Sequence, residues 1–411
     1  MLTDELSACL KCKVPRCRMH CPVATPIPEV ITLVQEGREE EAARMLFENN
    51  PLSAVCAIVC PHERNCCGHC IRGIKGQPVP FYRLEQEVSR RYLENYTPPE
   101  IARNPCRVAV VGAGPAGITM SIILSLNGFR VTLIDARNRI GGVLRYGIPE
   151  FRLPRAVIDH LGEVLHRLGV KFKPNIFIGS TITLDDMFID GYSAIFIAVG
   201  TAKPNRLGLL GETLGHVHYA IDYLKSPEAY RLGPRVVVVG AGNVALDAAR
   251  MAARTPGVTA VTVINNRREA DMTGNRREIA EAQAEGVQFR HLLQTIQIED
   301  DGAKCVAVDP LETAGGMVYE EDFLRIEKIP ADTVILAIGQ GPQGAVITET
   351  GISQTRHGLL DVDENGHTTK PGVFAAGDIV TGPKTVVEAV AFSKKVAQEI
   401  MKYCAGLPPR P

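Results

Sequence analysis

Cysteines are the first residues in this sequence whose type and spacing could do chemistry. Nine of the 12 cysteines lie between Cys9 and Cys70, so they are concentrated in one short region. Residues 1–10 contain no basic region followed by an apolar run, which predicts a cytoplasmic protein without a signal peptide. In such a protein a dense cysteine segment more often binds metal than forms disulfides.

The cysteine spacing is more typical of iron–sulfur clusters than of zinc. The first run reads C-x2-C-x4-C-x3-C-P and the second reads C-P-x4-C-x3-C, whereas structural zinc prefers pairs of the form C-x2-C. In two-cluster ferredoxins the fourth cysteine of a run ligates the other cluster. The same exchange predicts these ligands: Cys9, Cys12, Cys17 and Cys70 for a first cluster, and Cys21, Cys60 and Cys66 for a second.

The second predicted cluster lacks a fourth ligand. Cys56 and Cys67 are thiol candidates, and Glu85 is a carboxylate candidate. The spacing alone leaves all three open. Structural zinc remains the minority alternative, and a disulfide scaffold is less expected still.

The first of two glycine-rich loops follows a predicted strand at 107–111. In the sequence that follows, Gly112 permits a tight turn, Gly114 lets the backbone approach a pyrophosphate, and Gly117 lets the next helix pack closely on the strand. The start of that helix, predicted at 115–126, offers free N–H groups and a positive dipole end to phosphates. The pattern therefore predicts a dinucleotide site.

Two further features favour FAD as the ligand of the first loop. Asp135 ends the next predicted strand, and its carboxylate can accept hydrogen bonds from a ribose. Far downstream, Gly377 and Asp378 follow a strand, and a helix begins near Thr385. In flavoproteins with two dinucleotide sites, such a Gly-Asp pair contacts FAD and the helix points at the flavin ring. We therefore expect one FAD domain that is interrupted by an insertion.

The second glycine-rich loop follows a strand at 235–239 and contains Gly240 and Gly242. The next strand is followed by Arg267 and Arg268, at the place where an NAD site usually has an acid. Guanidinium groups pair bidentately with phosphate, so the arginine pair favours the 2′-phosphate of NADP. A solvated basic turn is the alternative.

The repeated strand–helix–strand pattern predicts the fold class. We expect an α/β protein with two Rossmann-like dinucleotide-binding domains in a glutathione-reductase-like arrangement, preceded by an α-helical domain with two 4Fe-4S clusters. The net charge of −1 and the lack of a long apolar stretch argue against nucleic acid or a membrane as a partner. The predicted domains are helical iron–sulfur, 1–104; FAD-binding, 105–202 and 345–411; and NADPH-binding, 203–344.

These motifs together resemble the small-subunit family of NADPH-dependent glutamate synthase. The chain is also similar to the N-terminal half of dihydropyrimidine dehydrogenase and to the large subunit of ferredoxin-dependent NADPH transhydrogenases. In this family a Glu or Gln after the last cysteine is the fourth ligand of one cluster, which implies Glu85 for the second cluster here. The segments that carry the resemblance are Asn50–Leu52, Gly141–Pro154, Gly240–Arg250, Ala337–Gln340 and Ala375–Asp378.

The loops and the resemblance together imply two sets of cofactor contacts. The predicted FAD contacts are Gly112, Gly114, Pro115, Ala116, Gly117, Asp135, Ala136, Gly142, Val143, Leu144, Arg145, Gly147, Ile148, Ala198, Val199, Gly200, Gly377, Asp378, Thr385 and Val386. The predicted NADPH contacts are Gly240, Gly242, Asn243, Val244, Asp247, Arg267, Arg268, Ile338, Gly339 and Gln340.

The implied activity is electron transfer from NADPH through FAD and two 4Fe-4S clusters to a partner subunit. We expect no catalytic side chain, because the cofactors carry the chemistry. The expected partner is a catalytic or electron-accepting subunit, with a ferredoxin as a second candidate. One alternative is a subunit of an electron-bifurcating transhydrogenase- or hydrogenase-type complex. The other is a non-enzymatic iron–sulfur scaffold or sensor.

Overall fold

The computed structural model describes residues 6–179, 182–313, 316–342 and 350–408. Two compact units divide the chain. The first comprises Met1–Arg145, Glu150–Thr201 and Pro342–Pro411, and the second comprises Tyr146–Pro149 and Ala202–Gly341. The domain boundary predicted between residues 344 and 345 lies outside the described residues, so the division into three domains stays a prediction.

Helices and strands are numbered here in chain order. The helices are α1 (Arg16–Met19), α2 (Ile27–Gln35), α3 (Glu39–Asn49), α4 (Ser53–Val59), α5 (Phe81–Glu94), α6 (Pro115–Leu126), α7 (Val143–Tyr146), α8 (Arg155–Arg167), α9 (Leu184–Ile189), α10 (Ala220–Lys225), α11 (Asn243–Ala253), α12 (Arg276–Ala284), α13 (Asp378–Thr381) and α14 (Val386–Ala405). The strands are β1 (Arg107–Val111), β2 (Arg130–Ile134), β3 (Lys171–Lys173), β4 (Ala194–Ile197), β5 (Lys203–Pro204), β6 (Val217–Tyr219), β7 (Arg235–Val239), β8 (Ala260–Ile264), β9 (Gln288–Arg290), β10 (Leu293–Glu299), β11 (Gly302–Thr313), β12 (Gly316–Pro330), β13 (Thr333–Leu336), β14 (Gln340–Gly341) and β15 (Val373–Ala375).

The amino-terminal part of the first unit is helical. Helices α2 and α3 bury their apolar faces against α5 through Ile31, Leu46 and Leu84. Four cysteines pack against this core: Cys9, Cys17, Cys66 and Cys70. Burial of apolar area therefore holds the cysteine loops in place.

The remainder of the first unit is built on a parallel sheet with the strand order β3-β2-β1-β4-β15. Val108 in the central strand pairs with Val131 on one side and Ala194 on the other. The strand order reverses between β1 and β4, and ligands of such sheets bind at that reversal point, beyond the carboxyl ends of the strands. The first glycine-rich loop begins there.

The second unit repeats this topology in a parallel sheet with the order β9-β8-β7-β13-β6. It also contains an antiparallel sheet, β10-β11-β12, which the sequence analysis did not predict. The overlooked signal in the sequence is a pair of adjacent glycines, the second of which, Gly316, begins β12, because glycines are typical of hairpin turns.

An ion-pair network ties α11 to α12 in the second unit. Arg250 is only 5% exposed and pairs with Glu278, which is equally buried, and with Glu285 at 2.7 Å. Hydrogen bonds from Arg254 and Arg250 lower the pKa of Glu285 to about 2. The network holds α11, the helix that begins directly after the second glycine-rich loop.

Among the described residues, no helix is both long and apolar enough to cross a lipid bilayer.

Candidate functional site

One cavity in the helical part of the first unit collects the predicted ligands of the first cluster. Its lining includes Cys9, Cys12, Cys17 and Cys70, with Cys66 as a further thiol. The structure thus brings the last cysteine of the second run next to three cysteines of the first run. This is the arrangement needed if the fourth cysteine of each run ligates the other cluster. The assignment of a cluster to this cavity stays a prediction.

A second cavity collects the predicted ligands of the second cluster: Cys21, Cys60, Cys66 and Glu85. Cys56 also lines it and is 4% exposed, while Glu85 is 7% exposed. Cys67 lines neither of these two cavities, and its thiol lies 3.8 Å from the carbonyl oxygen of Val79. Of the three candidates for the fourth ligand, Cys56 and Glu85 line this cavity and Cys67 does not, although Cys67 is near enough for its charge to add to the effect of burial in raising the pKa of Glu85.

The chemistry of these buried acids fits a cationic group. Burial raises the pKa of Cys17 to about 11, of Cys60 to about 12 and of Glu85 to about 8. A bound metal centre compensates such burial, because its charge favours the deprotonated ligand. Within the described residues, no three His, Cys, Asp or Glu side chains are close enough together to hold a single metal ion.

Amide donors also point to an acceptor-rich group in the second cavity. Asn65 Nδ2 donates to Cys60 Sγ at 3.2 Å. Asn50 lines the same cavity, and its buried Nδ2 has no hydrogen-bond partner within the described part of the chain. An unmet buried donor is costly, and hydrogen bonds to sulfur tune iron–sulfur clusters. Neither asparagine was assigned a role from the sequence, although Asn50 belongs to a segment that carries the resemblance.

The glycines of the first glycine-rich loop serve two different needs. Gly112 has a φ of +106°, and a Cβ on it would lie 2.4 Å from the carbonyl oxygen of Ala198. A Cβ on Gly117 would lie 1.8 Å from the Gly112 carbonyl oxygen, so the chain itself requires both glycines. Gly114 has a φ of −83°, and its Cβ would meet only Gly142 Cα, at 3.9 Å. The fold therefore does not require Gly114, whereas a pyrophosphate lying against the backbone does.

Segments far apart in the sequence converge on this loop. A Cβ on Gly142 would lie 2.7 Å from Gly114 Cα, and a Cβ on Gly377 would lie 3.1 Å from Ala116 Cβ. The loop after β4, which contains Ala198, adjoins Gly112 as described above. The loops around residues 112–117, 142, 198 and 377 therefore surround one place, at the reversal point of the sheet.

Three charged residues among the predicted FAD contacts are held by the protein itself. The Asp135 carboxylate accepts hydrogen bonds from the backbone N–H groups of Ala113, at 2.6 Å, and Arg137, at 2.7 Å, which fastens the loop to the end of β2. Arg145 Nε donates to the Ile140 carbonyl at 2.9 Å. Burial raises the pKa of Asp378 to about 6, although the Lys384 N–H donates to its carboxylate.

The remaining predicted FAD contacts do not all fall in one unit. Pro115 and Ala116 begin α6, Val143 and Leu144 lie in α7, and Thr385 caps α14. Gly147 and Ile148 belong to the second unit, unlike the rest of the set.

The second glycine-rich loop repeats the contrast of the first. Gly240 has a φ of +150°, and a Cβ there would lie 2.4 Å from the carbonyl oxygen of Ala337. Gly242 has a φ of −98°, and its Cβ would meet only Thr273 Oγ1, at 3.6 Å. Ala337 therefore lies against the second glycine-rich loop. Three predicted NADPH contacts follow it directly in the sequence: Ile338, Gly339 and Gln340. This loop therefore also leaves room for a phosphate group.

Of the polar residues predicted to contact NADPH at the second loop, some are hydrogen-bonded or buried within the protein and others are exposed. Asn243 Oδ1 accepts a hydrogen bond from the Asn275 N–H at 2.8 Å, and Asp247 is buried within α11. Arg267 and Arg268 are both exposed, and Arg268 Nε pairs with Asp271 at 2.6 Å. A phosphate group would therefore meet an exposed basic pair, one member of which already has an acidic neighbour.

Two protein-family models match the chain. The pyridine nucleotide-disulphide oxidoreductase family matches residues 106–392, and the family described as dihydropyrimidine dehydrogenase domain II, 4Fe-4S cluster, matches residues 1–97. The matched regions account for the dinucleotide fold and for a 4Fe-4S domain.

Curated relatives match nearly the whole chain. The glutamate synthase [NADPH] small chain of Escherichia coli strain K12 is 33% identical, over 97% of this chain and 90% of that protein. The NAD-dependent dihydropyrimidine dehydrogenase subunit PreT of Salmonella typhimurium is also 33% identical, over 97% of this chain and 93% of that protein.

A solved structure gives the fold. Mycobacterium tuberculosis FprA in complex with NADPH superposes with a TM-score of 0.63 at 18% identity, over 74% of this chain and 85% of that one. The comparisons confirm the predicted resemblance, the fold class and the class of flavin oxidoreductase. The chain belongs to the pyridine nucleotide-disulphide oxidoreductase family, among the FAD- and iron–sulfur-dependent members that include the glutamate synthase small chains.

Proposed function

We propose that this chain is an electron-input subunit that draws electrons from NADPH through FAD and two 4Fe-4S clusters and delivers them to a partner subunit. When bound, FAD takes two electrons as a hydride and releases them singly, and each cluster carries one electron at a time. The residues of the chain bind and orient these groups and keep water from them.

One helix of the first unit carries the proposal. Thr385 caps α14 and Val386 begins it, and both are predicted flavin contacts. The next residue, Val387, lines the second cysteine cavity. Farther along α14, Lys394 Nζ donates to Asn49 Oδ1 at 3.1 Å, next to the cavity residue Asn50. The flavin site and the second cluster would therefore adjoin at the start of α14, which supports the order flavin, second cluster, first cluster.

The names of the relatives support a partner subunit, since one is a small chain and another is a subunit. We propose that the final electron acceptor lies on that partner, with the large subunit of a glutamate synthase as the first candidate. The test is anaerobic purification together with the proteins of the neighbouring genes, followed by iron, flavin and subunit analysis. We expect a glutamate synthase large subunit, about eight irons and one FAD. Co-purification with hydrogenase- or ferredoxin-linked subunits would replace this function with the bifurcating one.

Gly114 and Gly242 are the two loop glycines at which a Cβ would not clash with the protein, so they provide a test of the cofactor sites. Gly114→Ala should remove FAD. The FAD-free variant should be as stable as FAD-free wild type or up to about 1 kcal/mol more stable, because its Cβ meets no protein atom closely and Ala restricts the unfolded chain. Gly242→Ala should retain FAD but lose NADPH-driven bleaching of the flavin. Flavin content, thermal unfolding and anaerobic absorbance measure these effects.

Gly117→Ala is the matched control, since its Cβ would lie 1.8 Å from a backbone oxygen and should destabilise the unit itself. Normal FAD content in Gly114→Ala would contradict the assignment of the first loop.

The arginine pair decides the choice of nicotinamide cofactor. Changing Arg267 and Arg268 together to Ala should raise the KM for NADPH by about 10- to 100-fold, because charged hydrogen bonds contribute about 1.5–3 kcal/mol, and should change the KM for NADH little. Steady-state dye reduction with each cofactor measures both constants. Equal changes for the two cofactors would refute the proposed contact with the 2′-phosphate.

The fourth ligand of the second cluster is decided by a pair of variants. Glu85→Ala should lower the iron content from about eight to about four atoms per chain and remove the electron paramagnetic resonance signal of one reduced cluster. Cys56→Ala should retain both clusters, although Cys56 lines the same cavity. The reverse outcome would assign the ligand to Cys56.

A further inference from the structure

An exposed surface surrounds the first cysteine cavity, and we call it the cavity-mouth patch. Four large apolar side chains are more than half exposed there, which is unusual for a short stretch of chain. They are Leu10 at 57%, Val14 at 67%, Met19 at 66% and Ile74 at 66%. Six exposed cations lie among them: Lys11, Lys13, Arg16, Arg18, Arg72 and Lys75.

The residues of the cavity-mouth patch lie in two segments, 10–19 and 72–75, and these segments meet at the cavity. Leu10 and Arg16 from the first segment and Arg72 from the second line the cavity beside the cysteines. His20 and His69, which flank the segments, stack with their ring centroids 3.5 Å apart. The apolar and basic side chains therefore belong to one surface.

The charge of this surface is one-sided. The sequence has no Asp or Glu from Ser7 to Pro28 or from Ile71 to Leu84, although the whole chain has a net charge of −1. Glu29 pairs with Arg18 at 3.1 Å and offsets one of the six cations. A basic surface of this kind attracts an acidic partner and speeds its association.

We propose that the cavity-mouth patch is the docking surface for an acidic electron-accepting protein. The inference rests on the proposed function, because it needs the first cluster in the cavity behind the patch. Exposed apolar side chains mixed with charged ones suit a protein–protein contact. A cluster held by the cysteines of this cavity would pass one electron to the acceptor in each encounter, and NADPH would be the reductant, supplying two electrons per hydride for two such encounters.

The test uses two probe proteins of opposite charge, an acidic 2Fe-2S ferredoxin and the basic cytochrome c, in anaerobic stopped-flow experiments with the NADPH-reduced holoprotein. The variant Lys13→Glu with Lys75→Glu reverses two patch charges. Its matched control, Lys171→Glu with Lys402→Glu, reverses two exposed charges elsewhere on the same unit. Iron and flavin contents are measured for every variant.

At low ionic strength the patch variant should reduce ferredoxin at least about tenfold more slowly than wild type, because electrostatic steering changes association rates by 10- to 1,000-fold. The two rates should converge at high salt, and the control should match wild type. If the patch variant lacks iron, Lys13→Gln with Lys75→Gln replaces it, with a smaller reduction expected.

Full cluster reduction by NADPH with equal ferredoxin rates in all variants would overturn the docking surface and leave the proposed function intact. A slowing of cytochrome c reduction in the patch variant as large as the slowing of ferredoxin reduction would overturn it as well, because reversed patch charges should not repel a basic protein. Failure of NADPH to bleach the wild-type flavin would instead overturn the proposed function. A wild-type dimer that becomes monomeric in the patch variant would assign the surface to a second copy of the chain.

Discussion

The close approach of backbone segments at the end of β1 is the constraint on which the dinucleotide site depends. The carbonyl oxygen of Gly112 and the α-carbon of Gly117 approach so closely that no side chain fits between them. This contact sets where α6 begins, and with it the direction of its free N–H groups. The glycine at 142 and the one at 377 can reach the same place only because they too lack a Cβ. Close packing of the protein thus creates a backbone-lined site, and Gly114 leaves it open.

Burial of acidic ligands is the corresponding constraint in the helical part. The helices that bury the apolar core also enclose thiols and one carboxyl group, and burial raises the pKa of Cys60 and of Glu85. Such an arrangement is unfavourable without a cation, and it becomes favourable when a metal centre binds. The cavities and the unmet amide of Asn50 fit a helical part that an iron–sulfur centre would complete.

Helix α14 connects the predicted flavin site with the second cysteine cavity within the first unit. Its capping box, formed by Thr385 and Glu388, fixes the start of the helix beside the Gly-Asp turn, and Val387 in its first turn lines the second cavity. The first cavity lies behind a basic and apolar surface instead. The two cavities therefore have different surroundings, one joined to the flavin-side helix and one facing outward, which gives the proposed electron route its direction.

The sequence by itself determined the fold class, and it was enough to predict the glycine-rich loops and cysteines of the candidate site. Glycine loops after apolar strands and the cysteine spacing depend on local geometry, so they can be recognised without coordinates. Only the tertiary structure separated Cys67 from Cys56 and Glu85, distinguished the open Gly114 from the enclosed Gly117, and joined two basic segments into one surface. Spacing measures distance along the chain, whereas burial and contact depend on segments that are remote in sequence and meet only when the chain folds.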